Sequence, residues 1–478
     1  MRQTYRLQKA KIVATVGPAS ANKKTLEALV RAGVDVFRLN FSHGSHEDKL
    51  KIIELVTQIN VENDLHIGLL ADLQGPKLRI GDLENDGLDL RRGMMLTFTN
   101  TPCVGNADCI YMSYDRFAMD VSVDDRVLVD DGRVVLKVRE TNGIDTVKLE
   151  VIHGKRLTSH KGVNLPDTEV TLPALTEKDL KDLDFILDQP FNWIALSFVR
   201  RPEDMMELRH IVESRGHKAK LMAKIEKSQA VRRIKKIIKA SNGIMIARGD
   251  LGVEMPIEKL PGIQKKLIKH CIQWARPVVV ATQMMESMIE NPMPTRAEIT
   301  DVANAVIDGA DALMLSGETA VGKFPVEVVK YMGKIIHETE KSIGYKGFRP
   351  KPIKKSSLFF SDVVCFNAAL TANEIGALGV AGLTVSGYTA FKVSSYRPNG
   401  NIFIFSSDQL LLGALNICWG VSCYYYDEFK STDETIEDIS NILKKAKIVK
   451  KGDVIVNTGS MPVSKRLKTN MLKVTIIE

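Results

Sequence analysis

Lys224 and Glu226 stand two residues apart in KLMAKIEKSQA, a run otherwise apolar enough to be a buried strand. Side chains two apart on a strand share a face, so an ammonium and a carboxylate enter one interior space. That is costly unless they pair or bind something. A partly buried salt bridge is the plain explanation and a binding site the sharper one. A second carboxylate, Asp250, lies in ARGDLGVE, where glycines let backbone approach a ligand and a following helix start would aim free N–H groups at an anion. The alternative there is a tight turn with a helix cap. Glu226 and Asp250 are two hard oxygen ligands, too few for an all-protein calcium cage but suited to Mg2+, or Mn2+ in its place, completed by substrate oxygens and water. Lys224 beside that metal is a point charge for a transferring phosphoryl group or a developing enolate. Arg38 offers a fork for phosphate or an ordinary ion pair, and Thr282 a hydroxyl for a ligand or for backbone. This set describes a metal-assisted site for a small phosphorylated anion and leaves the reaction open.

Such residues need a frame. Eight short β-branched runs alternate with amphipathic helical stretches: KIVATVG, DVFRLN, HIGLLAD, NWIALSF, KLMAKIE, GIMIARGD, PVVVAT and ALMLSGE. That count and order predict a (β/α)8 barrel. Thr176–Asp179 and Thr295–Glu298 have the pattern of capping boxes at helix starts. Nearly every run is apolar until its C-terminal end, which carries Arg38 and Asn40, Asp72, Ser197, Lys224 and Glu226, Arg248 and Asp250, Thr282, or Ser316 and Glu318. Barrel enzymes gather catalytic groups at that face. The site explanation therefore gains on the salt bridge.

The predicted barrel occupies 1–73 and 172–345. The insertion, 74–171, has β character: RVLVDDGRVVLKV reads as a hairpin about an Asp-Gly turn, and a small β-barrel domain at a catalytic-face loop could act as a lid. GFRPKPIKKSS is a linker into a third domain, 346–478, with helices alternating with strands of a largely parallel sheet.

Bulk properties narrow the class. At 478 residues the chain exceeds one compact core. Its net charge of +8 is spread in short runs without the aromatic-interleaved patch of a nucleic-acid binder, and suits small anionic substrates. The six cysteines form no zinc spacing and are expected as reduced, mostly buried thiols. His43 and His46 have helical metal-ligand spacing but lack a nearby third ligand, so no metal is expected on them. An acid-free start up to Glu27 faintly suggests a transit peptide, yet a strand from residue 11 leaves no room for one. With no membrane-length apolar run, the expected location is cytoplasmic.

KIVATVGPAS, RLNFSHG, LADLQGPKLR, DDGR, HKGVNLP, LTEKD, AKIEKSQAV, ARGDLGVE, ATQMMESM, NPMPTRAEITDVANAV and DALMLSGETA occur in the order found in pyruvate kinases, and the sequence closely resembles that family. In the third domain the resemblance rests on topology and TVSGYTA. It implies Mg2+-dependent phosphoryl transfer from phosphoenolpyruvate to ADP, giving pyruvate and ATP. Arg38 would hold the substrate phosphate and Lys224 would stabilise the moving charge. Glu226 and Asp250 would bind Mg2+, the backbone of Gly249 and Asp250 would seat the carboxylate, and Thr282 would lie near the carbon that is protonated. Arg79 and Lys161 would meet ADP phosphates, with Asn40 beside them, and a second Mg2+ would arrive with the nucleotide. A homotetramer is also implied.

The sequence departs from the family at the monovalent-cation site. Members that need K+ bind it through residues matching Asn40, Ser42, Asp72 and the carbonyl of residue 73, here Leu73 instead of threonine. They carry glutamate where this chain has Lys77. An ammonium there would supply the positive charge locally and repel a bound cation, so activity without K+ is expected. Thr384, Ser386, Gly387 and Thr389 match the family's effector-phosphate loop and predict a phosphorylated effector, although Tyr388 replaces the usual basic residue or threonine. Two other functions fit parts of the pattern. A Mg2+-dependent carbon–carbon lyase would not need Arg79 and Lys161 on a lid, and a non-catalytic metabolite sensor would not need the intact set of Arg38, Lys224, Glu226, Asp250 and Thr282.

Overall fold

The computed structural model describes residues 8–343, 345, 347–428, 430–461 and 468–478. Eight strands close a barrel: β1 (Lys11–Thr15), β2 (Val36–Asn40), β3 (Gly68–Asp72), β4 (Trp193–Leu196), β5 (Lys220–Ile225), β6 (Gly243–Ala247), β7 (Val278–Ala281) and β8 (Ala312–Leu315). Each pairs in parallel with its sequence neighbours, and β8 closes on β1. Covered on both faces, the strands are apolar runs rather than alternations. The period of two still sorts their side chains. Val13, Val36, Leu70, Trp193, Met222, Met245, Val279 and Met314 fill the interior, while Ile12, Phe37, Leu69, Ile194, Leu221 and Ile244 pack outward on the helices.

Both predicted capping boxes form, opening the helices Glu177–Leu187 and Arg296–Asp308. Each satisfies N–H groups that a helix start otherwise leaves without partners.

The segment between β3 and β4 holds a six-stranded sheet with its own core, built on the antiparallel hairpin Arg126–Val129 and Val134–Thr141. Asp130, Asp131 and Gly132 all have positive φ in the hairpin loop (55°, 53° and 84°), where aspartate and glycine are the tolerant residues. Bridges from Arg79 to Gly162 and from Ile80 to Met112 connect the sheet's two edges, giving it a barrel-like wrap.

One sequence expectation changes. Cys103 and Cys109, expected as thiols, form a disulfide across the turn that the Asn106–Cys109 bridge closes. Cys271, Cys365, Cys418 and Cys423 are free and buried, as expected. His46 opens the helix His46–Asn63, its Nε2 lying 2.7 Å from Asp182 and its ring stacked on Phe185, so it has an ordinary structural role.

The C-terminal sheet comprises β9 (Gly379–Leu383), β10 (Asn401–Ser406), β11 (Val421–Tyr425), β12 (Val454–Gly459) and β13 (Met471–Ile476), ordered β11-β10-β9-β12-β13 with only the last pair antiparallel. This domain seats on the N-terminal end of the barrel. Lys11 Nζ donates to the Val421 carbonyl at 2.7 Å and Trp193 Nε1 to that of Ala414 at 2.9 Å. Gly68 opens β3 so close to the docked helix Gln409–Leu415 that a Cβ there would lie 2.6 Å from the Gly413 carbonyl. The catalytic-face residues are left at the opposite end. No described helix is long and apolar enough to cross a membrane.

Candidate active site

Lys224, on β5, has three partners. Its Nζ lies 3.1 Å from Asp72 Oδ1, 3.0 Å from Glu226 Oε1 and 2.7 Å from Ser197 Oγ. Period two on β5 and the parallel neighbours β3 and β4 bring these groups into one interior space. Burial opposes the ammonium, but the Asp72 and Glu226 carboxylates outweigh it and hold Lys224 above the usual lysine range. Asp72, though buried, is held below its ordinary value by Lys224 and Arg38. Glu226 moves upward, through burial first and then the nearby Asp250 carboxylate, against Lys224. The opposite directions of the two carboxylates follow from one lysine charge being shared between them, with Arg38 serving only Asp72.

Arg38 Nε donates to Asp72 Oδ2 at 2.6 Å and its Nη1 to Thr15 Oγ1 at 2.9 Å. Its Nη2 makes no hydrogen bond among the described residues, leaving a donor for an anion. Glu226 Oε2 accepts the Phe198 N–H at 2.7 Å. The Asp250 carboxylate has no hydrogen bond or ion pair among the described residues, although it is half-buried beside Glu226. An uncommitted carboxylate near a second one fits Mg2+. The described residues form no group of three or more His, Cys, Asp or Glu able to hold a metal.

The turn after β7 is strained. Thr282 has φ 69° and Gln283 φ 53°; a β-branched residue there is an outlier costing about 1–3 kcal/mol. The conformation brings Thr282 Oγ1 to the Gly249 N–H, which donates to it at 2.7 Å, while the hydroxyl donates to Ala281 O at 2.6 Å. Gly249's N–H is thus engaged, not free as the sequence suggested. Arg248 clamps the turn: Nη2 donates to the carbonyls of Thr282 (2.9 Å) and Gln283 (3.1 Å), and Nη1 reaches Asp301 at 2.8 Å. Glu318, another strand-end residue, accepts the backbone N–H groups of Ser316 and Met285 at 2.6 and 3.2 Å, a structural task.

On the lid, Arg79 Nη1 donates to His160 O at 2.9 Å, and Lys161 Nζ pairs with Asp130 at 2.9 Å. The Arg79–Gly162 bridge places these two cations on adjoining segments. Lys77 is exposed, lines the narrow gap between lid and barrel together with Asp250, and makes no side-chain hydrogen bond or ion pair among the described residues. Asn40 Oδ1 accepts the Ser42 N–H at 3.0 Å, and Asn40 lies opposite Asp72 across β2 and β3; Leu73 is buried after β3.

Sequence reasoning missed the contact between lid and barrel made by Asn164, Glu254 and Lys227. Glu254 Oε1 accepts from Asn164 Nδ2 at 3.0 Å and Lys227 Nζ at 2.5 Å. The signal was available, since Glu254 ends ARGDLGVE and Lys227 follows Glu226. In the C-terminal loop, Thr384 Oγ1 accepts the Gly387 N–H at 3.0 Å, and buried Thr389 meets Thr469 at 2.8 Å. Of the three hydroxyl residues there only Ser386 is exposed.

The family description "Pyruvate kinase, barrel domain" matches residues 7–329, and "Pyruvate kinase, alpha/beta domain" matches 362–475. The chain belongs to the pyruvate kinase family. Pyruvate kinase from Clostridium perfringens is 39% identical over 472 residues, covering 98% of this chain and 99% of the relative. That of Geobacillus stearothermophilus is 39% identical over 477 residues, covering 98% of this chain and 80% of its own. A crystal structure of a pyruvate kinase from Cryptosporidium parvum superposes with TM-score 0.92 at 32% identity, covering 99% of this chain and 97% of that one. This pyruvate kinase family member is a phosphotransferase built as a TIM barrel with a lid and a C-terminal α/β domain.

Proposed function

We propose that the chain transfers the phosphoryl group of phosphoenolpyruvate to ADP, giving pyruvate and ATP, through the cluster around Lys224. The observation that carries this assignment is a buried ammonium between Asp72 and Glu226, with the uncommitted Asp250 carboxylate beside it. Arg38 Nη2 donates to the substrate phosphate while Asp72 and Thr15 fix the other guanidinium nitrogens. Lys224, its three donors already directed, acts as a preorganised charge beside the moving phosphoryl group. Glu226 and Asp250 would hold Mg2+ (or Mn2+), which supplies Lewis-acid stabilisation of charge on oxygen. The backbone at Gly249 and Asp250 seats the substrate carboxylate, with Thr282 Oγ1 exchanging its bond to Gly249 for one near the carbon that accepts a proton. Arg79 and Lys161 meet the ADP phosphates, with Asn40 alongside.

The domain division is barrel at 1–73 and 172–345, lid at 74–171 and regulatory domain at 346–478, working in the cytoplasm as a homotetramer under a phosphorylated effector. Lys77 takes the role of K+. Its unpaired ammonium in the gap beneath the lid, a gap that Asp250 also lines, supports this, since a monovalent cation would add a like charge there. Pyruvate formation in sodium-only and potassium buffers at saturating Mg2+ tests it. Equal rates are expected, with Lys77→Glu acquiring a K+ requirement. A strong requirement in the unaltered chain would contradict the Lys77 assignment and leave the phosphotransfer assignment intact.

A further inference from the structure

The helix that carries Asp250, Arg248–Glu254, ends on a carboxylate whose side chain is 2% exposed. A carboxylate that deep needs a counter-charge, and Lys227 supplies it, its Nζ lying 2.5 Å from Glu254 Oε1. The same oxygen accepts from Asn164 Nδ2 of the lid at 3.0 Å. Asn164 is held firmly within the lid, because its strand, Val163–Asn164, pairs antiparallel with Val129 and Leu128 of the hairpin. The loop of that hairpin meets the same helix end: a Cβ built on Gly132 would lie 3.8 Å from Val253 Cγ1. Both lid cations adjoin these contacts. Asp130 in the loop pairs with Lys161 at 2.9 Å, and Arg79 bridges to Gly162, the residue before the strand.

Other contacts between lid and barrel differ in kind. Arg200 donates to the carbonyls of Val170 (2.6 Å) and Leu172, where the chain returns to the barrel, and so holds the connection itself. Arg233 pairs with Glu169 at 3.2 Å, but both side chains are exposed, and such a pair contributes little. The bond from Asn164 to Glu254 joins the lid's own sheet to a buried acceptor, and hydrogen bonds to charged groups are stronger than neutral ones. We propose that Glu254 is the seat on which the lid latches through Asn164, and that these two are positioning residues for ADP. The latch fixes how far Arg79 and Lys161 stand from the helix that carries Asp250. Phosphoenolpyruvate, held from the barrel by Arg38 and Lys224, does not depend on it. The consequence for ADP rests on the proposed phosphoryl transfer, whereas the latch itself does not.

Steady-state kinetics and a lid-to-barrel distance test this together in the full chain. In Asn164→Ala the KM for ADP is expected to rise about tenfold or more, while kcat and the KM for phosphoenolpyruvate stay within about twofold of the parent. Arg233→Ala, which breaks the exposed contact, is expected to move none of the three by more than about twofold. The distance is read without ligands, by Förster transfer between dyes on Ile144→Cys in the lid and Val61→Cys in the barrel. Both positions are exposed, and the four free cysteines are buried. Asn164→Ala is expected to shift the transfer efficiency and Arg233→Ala to leave it at the parent's value. A KM for ADP unchanged in Asn164→Ala would overturn the proposal, as would an equal rise in both KM values or an unshifted transfer efficiency. The distance needs no turnover, so a chain that formed no pyruvate would refute phosphoryl transfer and leave the latch to be judged by its own measurement.

Discussion

One ammonium facing two buried carboxylates makes Lys224 both a catalytic charge and a structural counter-ion. Lys224→Met removes both roles. Turnover is expected to fall by about 10²–10³-fold, with the KM for phosphoenolpyruvate moving far less, because Arg38 still holds the phosphate. Stability is expected to fall by about 3–5 kcal/mol, since Asp72 and Glu226 are left facing each other without their shared cation. Steady-state kinetics and denaturant unfolding of the same variant check the two effects separately. Lys224 and Glu226 were legible because charge interrupting an apolar strand is conspicuous and period two assigns it a face; Asp250, in the helix Arg248–Glu254, was legible from the glycines on either side of it in ARGDLGVE. The tasks of Arg248 and Thr15 were not. Arg248 clamps a turn whose positive φ at Thr282 no local pattern announces, and Thr15 is an unremarkable strand-end hydroxyl until Arg38 is seen bonded to it.

Among the elements, the helix Arg296–Asp308 shows how a sequence motif becomes a support for the site. Glu298 accepts from the N–H groups of Ser287 (2.7 Å) and Thr295 (2.8 Å) as well as from both hydroxyls, tying the helix start to the segment after β7. Burial pushes its carboxyl up, but those donors outweigh burial and hold it below the usual glutamate range. A depressed folded value means the stabilisation is present above about pH 4.3, the ordinary glutamate pKa, and is lost as pH falls through the folded value. Glu298→Gln should therefore lower the melting temperature at pH 7, by a loss of about 0.5–2 kcal/mol, with the difference from the parent chain shrinking toward acid pH. Thermal melts across pH check this. The capping boxes and the hairpin were legible because their signals span only a few residues. The Cys103–Cys109 disulfide was not, because the bridges that fold its turn come from chain pairing that cysteine spacing does not encode.

For the whole molecule, the decisive feature is that the barrel interior continues into the C-terminal domain. Val13, Trp193 and Met222 share one apolar cluster with Leu412, Leu415 and Val421. At the seam Arg397, 1% exposed, pairs with Asp311 at 2.9 Å and donates to Gly309 O at 2.8 Å. Arg397→Met should cost about 3–5 kcal/mol by leaving Asp311 buried without its partner, whereas Lys23→Met, breaking an exposed pair with Glu62, should cost under about 1 kcal/mol. Urea midpoints of the two variants compare them. This seam was hidden in the sequence because barrel residues that face a domain and those that face solvent carry no distinguishing pattern. The central claim is phosphoryl transfer at the Lys224 cluster. Its most direct test is simultaneous measurement of pyruvate and ATP formed from phosphoenolpyruvate, ADP and Mg2+. Equal amounts of the two products, and neither without ADP, are predicted; pyruvate formed without ATP, or no pyruvate at all, would contradict the account.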